Sequence, residues 1–442
     1  MTHAHLEAAV PAADRIAAVL DEARARTLSL VEPLSEQDLH LQHDPLMSPV
    51  MWDLCHIAHF EELWLTRNLD GPVEFVEMPG MYNPFEYPRS VRGTLALPTL
   101  DEYRSLMEEI RERVLERLRA ADVEDGNGLL RDGYVYAMVA QHEYQHDETI
   151  LQTLQLKRGA PYPAPRAIRV PAGSPTVPND GRMVRFPGGL VTIGTADRTR
   201  AYDNERPVHT VDLAPFWIDE HPVTNGAYLA FMEDGGYETR ALWSDAGWQW
   251  LGEAQVRAPK YWQREAEGWS MRSMDIVEPV DPAKPVCHVC FHEAEAFARW
   301  AGRRLPTEFE WEAAASWDPD TGRALDYPWG DAPVTSAHAN VDQLSFGTAR
   351  VGAYSHNVSP IGCYGMIGDV WEWTASDFRR YPGFESYPYR EYSEVFFGNE
   401  YKVLRGGSWA TRPGAIRNSF RNWDYPIRRQ IFSGFRCARS DR

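Results

Sequence analysis

Residues 139–152 read VAQHEYQHDETILQ, and within them His142, Glu143, Tyr144, Gln145 and His146 spell HEYQH. Residues four apart share one face of a helix, so two imidazoles at this spacing can grip one metal ion. Val135, Met138, Val139 and Ile150 lie on or near the same stripe. The pattern predicts a helix over about 132–157 with both histidines turned into a bundle interior, where metal sites of this kind are built. Read alone, H-E-x-x-H is the signature of zinc peptidases, with the Glu as general base. That reading needs a third ligand after the motif. The chain continues HDETILQTLQLKRG, without H-x-x-G-x-x-H, and the next histidine is His209. A downstream Glu stays open as a ligand.

Three more helices precede this one. The first covers roughly 11–32, with Ile16, Val19, Leu20 and Leu28 near helical spacing. The second starts at Ser48-Pro49, read as a cap followed by Pro at the first helical position, and runs through MWDLCHIAHFEELWLTR. The third starts at a capping box, Thr99-Leu100-Asp101-Glu102. Four helices of this length predict a four-helix bundle over residues 1–158. Helix two offers His56 and His59 as a third ligand, and spacing does not choose between them. Three neutral imidazoles leave a divalent metal with open positions. Zinc would give one to water; iron(II) would give two or three to dioxygen and a substrate.

Residues 159–182 hold six prolines and read as a semi-rigid linker. From 183 to 442 the texture changes. Short apolar runs alternate with Gly, Pro and Asn turns, interrupted by helical stretches at VTNGAYLAFMEDGG and FHEAEAFARWAG. The expected fold class is α+β, an N-terminal helical bundle joined to an irregular mixed domain with much loop. Trp, Gly and Arg in those loops suit a ligand surface.

Composition narrows the partners. Asp plus Glu number 64 against 45 Lys plus Arg, a net charge of -19, which argues against nucleic acid or an anionic membrane as partner. No run of 18 apolar residues is present, so no membrane span is expected. The first 26 residues lack the apolar stretch of a signal peptide. Five cysteines, an odd and small number, fit a reducing cytosol and predict a cytoplasmic protein. Cys287 and Cys290 form a C-x-x-C without a second pair, and read as buried structural thiols.

Two resemblances to known families appear. The first half resembles the DinB-like bundles, in which W-x-L-x-H-x-A on one helix joins H-x-x-x-H-x-E on another. Here these are Trp52, Leu54, His56, Ala58 and His142, His146, Glu148. The match implies His56, rather than His59, as the third ligand. The second half resembles the sulfatase-modifying-factor fold, a C-type-lectin-like domain shared with formylglycine-generating enzymes. PVTNGAYLAF, RRLPTEFEWEAAA, YPWGD, GDVWEWT, LRGGSW and GFRCA carry it, from Pro222 to Ala438. The aldehyde-forming members place a cysteine pair of copper ligands shortly before the last motif. That region here, IRNSFRNWDYPIRRQ, has no cysteine, so that activity is not expected.

The two halves in this order resemble the sulfoxide synthases of ergothioneine biosynthesis, the EgtB family. The resemblance implies a three-histidine iron(II) centre using dioxygen to join the thiol of γ-glutamylcysteine to the imidazole C2 of histidine betaine (hercynine), as a sulfoxide. Dioxygen accepts four electrons; C–S bond formation supplies two and oxidation of sulfur two more. No reductant is needed, and no G-x-G-x-x-G occurs. An acid must deliver a proton to reduced oxygen. The family uses a tyrosine in the loop after GDVWEWT, here YPGFESYPYREYSEVFFG, and alignment carries the role to Tyr389, with Tyr387 and Tyr392 as rivals. A tyrosine pKa of about 10 keeps the group protonated at neutral pH. Arg89 and Arg92, in MYNPFEYPRSVRG, match positions that contact γ-glutamylcysteine. Asp424 matches the residue that takes the glutamyl ammonium, and Arg428 lies one turn on. Asn422 and Trp423 match the histidine-betaine pocket, since a trimethylammonium group wants an aromatic face. Gln145, between the two histidines, is placed to hydrogen-bond the imidazole. Three other readings stand beside this one: the same chemistry with free cysteine as sulfur donor, a zinc hydrolase using Glu143, and a non-catalytic binding module.

Overall fold

The computed structural model describes residues 11–69, 79–124, 126, 128–165 and 181–441. The start of the chain and most of the Pro-rich linker lie outside the described residues. The chain forms two compact units: Met1–Pro163 with Asp197–Arg200, and Ala164–Ala196 with Ala201–Arg442. Among the described residues no helix is long and apolar enough to cross a membrane.

The first unit is a bundle of α1 (Ala12–Val31), α2 (Glu36–His40), α3 (Val50–Leu65), α4 (Arg89–Arg92), α5 (Leu100–Ala120) and α6 (Tyr134–Gln155). The Thr99 capping box forms: the Thr99 hydroxyl accepts from the Glu102 amide at 3.3 Å, and the Glu102 carboxylate accepts from the Thr99 amide at 2.8 Å. At α3 the expectation of a serine cap fails. Pro49 is the N-cap and makes no side-chain bond, because the Ser48 hydroxyl accepts from Arg92 Nη1 at 2.8 Å instead. Nearly every residue of α3 is buried, which makes it the central helix.

The interior of the bundle is not apolar throughout. Arg24 of α1 donates to Glu143 Oε1 at 2.8 Å and to Glu61 Oε2 at 2.7 Å. The Thr27 hydroxyl lies 2.7 Å from Glu143 and 2.8 Å from Asp147. Arg111 of α5 closes the set on Glu61 at 2.8 Å. Burial alone would raise the Glu61 pKa, but Arg24 and Arg111 outweigh it and hold the carboxyl below its usual range. Charges removed from water need such partners.

The second unit is mixed α and β. Strands Met183–Phe186 and Ala438–Ser440 flank Phe216–Asp219, both antiparallel to it. A four-stranded sheet runs Asn422–Asp424, Lys402–Arg405, Trp371–Asp377, Ser433–Gly434, with its last pair parallel. Phe186, Val191, Ile193, Phe216, Ile218 and Trp311 fill the core. The expected helices are α7 (Asn225–Glu233) and α9 (Phe291–Trp300), but two more occur, α8 (Asp245–Ala254) and α10 (Glu308–Ser316). Gly247 and Gly252 hid the first of these. A Thr307–Glu310 capping box announces the second.

The motifs that carry the lectin-like resemblance are buried ion pairs. Arg436 of GFRCA donates to Glu372 of GDVWEWT at 2.7 Å, and Trp311 Nε1 reaches the same carboxylate at 2.7 Å. Arg405 of LRGGSW pairs with Glu312. Each planar guanidinium satisfies a buried carboxylate in a fixed orientation, so these motifs build the scaffold. All five cysteines are buried and unbridged.

Candidate functional site

Three side chains of the bundle converge. Ring nitrogens of His56, His142 and His146 all lie within 4.8 Å of one another. His59, the rival of His56, is not in the cluster. The ring centroids stand 5.0 Å (His56–His142), 4.7 Å (His56–His146) and 4.6 Å (His142–His146) apart.

Both histidines of α6 turn toward α3, the central helix, as the periodicity predicts, and meet His56 there. Position 143 is turned by about 100° from 142 on a helix, and Glu143, with Asp147, faces α1, where Arg24 and Thr27 bind it. His142 and His146 are half-buried, sharing a stripe with half-buried Gln145 and Thr149 on the flank of α6 that faces α3. Val135, Met138, Val139 and Ile150, which marked this stripe, are buried, and the ion-pair layer lies beside it.

Neighbouring groups orient each ring. Nδ1 of His56 meets the Tyr82 carbonyl at 2.7 Å. A carbonyl only accepts, so Nδ1 carries the proton and Nε2 presents its lone pair to the cluster. Trp52 stacks on His56 at 5.1 Å and 8°, and its Nε1 donates to Met81 O at 3.0 Å, holding the turn that supplies Tyr82. Nδ1 of His146 faces Asp53 Oδ1 at 3.4 Å. His142 stacks on Phe60 at 3.6 Å and 10°. Burial, then the neighbouring His146, pushes the pKa of both His56 and His142 well below the usual histidine value. Both are therefore neutral and able to ligate.

The donor set fits a metal. Nitrogens about 2.1 Å from one ion stand about 3.0–3.4 Å from each other in octahedral or tetrahedral geometry. His56 Nε2 and His142 Nε2 are 3.2 Å apart. A carboxylate or carbonyl behind a ligating histidine is the usual outer partner of such sites. Asp53, Tyr82 and Phe60 escaped the sequence reading. Asp53 was legible, since it stands three residues before His56 and so on the same face of α3.

The remaining candidates fall into two groups. In the bundle, Arg92 is buried. Its guanidinium carbon lies 3.5 Å from the Trp52 ring centroid. It donates to Tyr87 O at 2.8 Å, Ser48 Oγ at 2.8 Å and Pro84 O at 3.4 Å. Three of its five N–H groups are thus committed to protein, and burial lowers its pKa to about 10. Arg89, on the same short helix, is exposed, and Gln145 Nε2 donates to Gln141 O at 3.3 Å.

In the second unit, Trp423 pairs with Val403 across the sheet and stacks on Phe378 at 4.1 Å and 7°. Asn422 precedes it on the same strand. Asp424 ends that strand, and Arg428 Nε stands 3.3 Å from its Oδ1. Tyr392 meets Trp423 edge-on at 5.9 Å, and Tyr389 meets Tyr392 edge-on at 6.2 Å. Trp423 and the tyrosine loop thus share one aromatic neighbourhood. Arg206 lies over the Tyr387 ring at 5.6 Å.

Fold and site together define a class: a helical bundle with three histidines that could hold a metal ion, joined to a sulfatase-modifying-factor domain. Residues 19–150 match the DinB superfamily, and residues 169–441 match the sulfatase-modifying factor enzyme 1-like domain. The hercynine oxygenase of Mycolicibacterium thermoresistibile is 45% identical over 97% of this chain and 96% of its own. That of Mycobacterium tuberculosis is 46% identical over 96% of this chain and 98% of its own. A formylglycine-generating enzyme of Thermomonospora curvata is 33% identical, over 58% of this chain and 92% of its own. The chain belongs to the hercynine oxygenase family, and it is an oxygenase.

Proposed function

We propose that this enzyme is an iron(II), dioxygen-dependent sulfoxide synthase that joins the thiol of γ-glutamylcysteine to C2 of the imidazole of histidine betaine. The observation that carries the reading is the converging set of His56, His142 and His146 in a chain collinear with hercynine oxygenases. Iron(II) held there supplies dioxygen reduction and a cationic centre that favours a substrate thiolate. The three histidines hold the ion by Nε2 lone pairs, and the Tyr82 carbonyl and Asp53 fix two of the rings. Tyr389 gives its phenolic proton to reduced oxygen. Trp423 presents an aromatic surface to the trimethylammonium group, Asn422 binds beside it, and Gln145 hydrogen-bonds the imidazole.

The Asp424–Arg428 pair supports an amino-acid group as ligand. It sets a carboxylate beside a guanidinium, complementary to an ammonium beside a carboxylate. Arg89 reaches a carboxylate of the dipeptide from the bundle surface, and Arg92 has at most two N–H groups left for one. These groups favour γ-glutamylcysteine over free cysteine. The zinc-hydrolase reading loses its base: Glu143 is buried and bound to Arg24 and Thr27.

The test is incubation of anaerobically purified protein with iron(II), histidine betaine, γ-glutamylcysteine and air, with oxygen uptake and product mass followed together. A sulfoxide conjugate that forms faster with the dipeptide than with cysteine is expected. No oxygen uptake with any thiol, alongside tightly held zinc, would overturn the reading.

A further inference from the structure

The loop that carries Tyr389 has no regular secondary structure between Asp377 and the short turn at Glu394–Phe396. A proton donor needs a fixed position, since a misplacement of about 1 Å can cost about a hundredfold in rate. Something other than a backbone ladder must hold this loop.

One carboxylate grips it on both sides of Tyr389. Asp203 Oδ2 accepts from the Tyr387 amide at 3.2 Å, and Asp203 Oδ1 accepts from the Ser393 hydroxyl at 2.6 Å. Asp203 and Ser393 are buried. The flanking residues grip the same loop. Tyr202 stacks on Tyr392 at 4.0 Å and 16°, and Arg206 lies over Tyr387. The turn itself is anchored from behind. Glu205 accepts from Arg417 Nε and from the Ser419 hydroxyl, each at 2.8 Å, and Arg421 donates to Asn204 O at 2.8 Å. Residues 202–206 thus form a rigid mount with the tyrosine loop clipped to it.

We propose that Asp203 is a positioning residue, which fixes the Tyr389 hydroxyl by tethering the loop at Tyr387 and Ser393. The proposal rests on the reading of Tyr389 as the acid. Asp203 contacts neither substrate nor metal in this role. It acts through the loop.

The test uses the full-length iron-loaded enzyme with Asp203→Asn, Ser393→Ala, Ser393→Thr and Tyr389→Phe. Amide hydrogen exchange over residues 384–396, read by mass spectrometry, reports the tether without reference to chemistry. Asp203→Asn and Ser393→Ala are expected to speed that exchange about tenfold or more. Both should lower kcat by about 10–100-fold, with KM for the thiol changed less than about twofold. Ser393→Thr, which keeps the hydroxyl, should restore both readouts. Combined with Tyr389→Phe, Asp203→Asn should add no further loss, since a residue that acts only through Tyr389 has nothing left to position. Unchanged exchange in both tether variants would overturn the proposal, as would a rate loss that adds to that of Tyr389→Phe. A wild-type rate in Tyr389→Phe alone would overturn the acid reading, and the positioning of that hydroxyl with it. That failure is distinguishable, because exchange reports the tether by itself. Ser393→Ala keeps the test decisive if Asp203→Asn does not fold.

Discussion

Helix α6 and the 381–398 loop each carry groups assigned to the reaction, and they hold them in opposite ways. On α6 the backbone ladder sets the spacing, so His142 and His146 share a face by helical geometry alone. In the loop no ladder operates, and position comes from distant side chains: Asp203 on two sites, Tyr202 on Tyr392, Trp423 beside them. A helix writes its site in a period of 3.6 residues. A loop writes it in pairs separated by nearly 200 positions.

The comparison breaks most severely at a ligand. His142→Ala removes one of three nitrogens and leaves His56 without its 3.2 Å neighbour. Product formation should fall to background and iron content should drop well below one per chain by metal analysis. Retention of iron and turnover would mean that the metal sits elsewhere. The loop has a smaller but still large stake. Tyr389→Phe should lower kcat for the sulfoxide about 10²-fold, the lower end for a general acid, with iron content unchanged. If Tyr392→Phe or Tyr387→Phe shows that loss instead, the acid is the neighbour.

This contrast explains what was legible. The bundle could be read from residues because caps, periodicity and an i, i+4 histidine pair are local signals. Thr99–Glu102 forms as its spacing requires. The charged layer of Arg24, Glu61, Glu143 and Asp147 beside the histidines was not legible, since no local pattern reveals partners 37 and 119 residues apart. In the second unit, the residues named for substrate came from family resemblance alone. Asn422, Trp423 and Asp424 are a three-residue strand whose register is fixed by Leu404, Val403 and Lys402. Asp203 carries no motif, so nothing in its vicinity marks it.

Between ligand and loop in kind, but smaller in effect, is the outer partner of His146. Asp53→Asn keeps the shape and removes the charge that faces Nδ1 at 3.4 Å. Loss of such a partner typically weakens metal binding about 10–100-fold. Iron affinity measured by competition with a chelator should fall in that range, while kcat at saturating iron should change little. An unaltered affinity would show that helix geometry alone orients His146, which would sharpen the case for α6 as a self-sufficient mount.

The smallest effect on turnover is expected one residue from a ligand. Glu143 adjoins His142, yet its carboxylate accepts from Arg24 and Thr27 in the core. Glu143→Gln keeps the volume and leaves Arg24 with Glu61 as its charged partner. Breaking a buried ion pair typically costs about 3–5 kcal/mol; Glu61 should hold the loss here to the lower end, seen as a reduced midpoint in urea. Iron content and kcat should stay within about threefold of wild type, because the carboxylate lies about 100° around α6 from His142, on the side held by Arg24 and Thr27. A collapse of turnover with stability and iron intact would instead give Glu143 a chemical role, and only a rearrangement of α6 that turns it toward His142 could supply one.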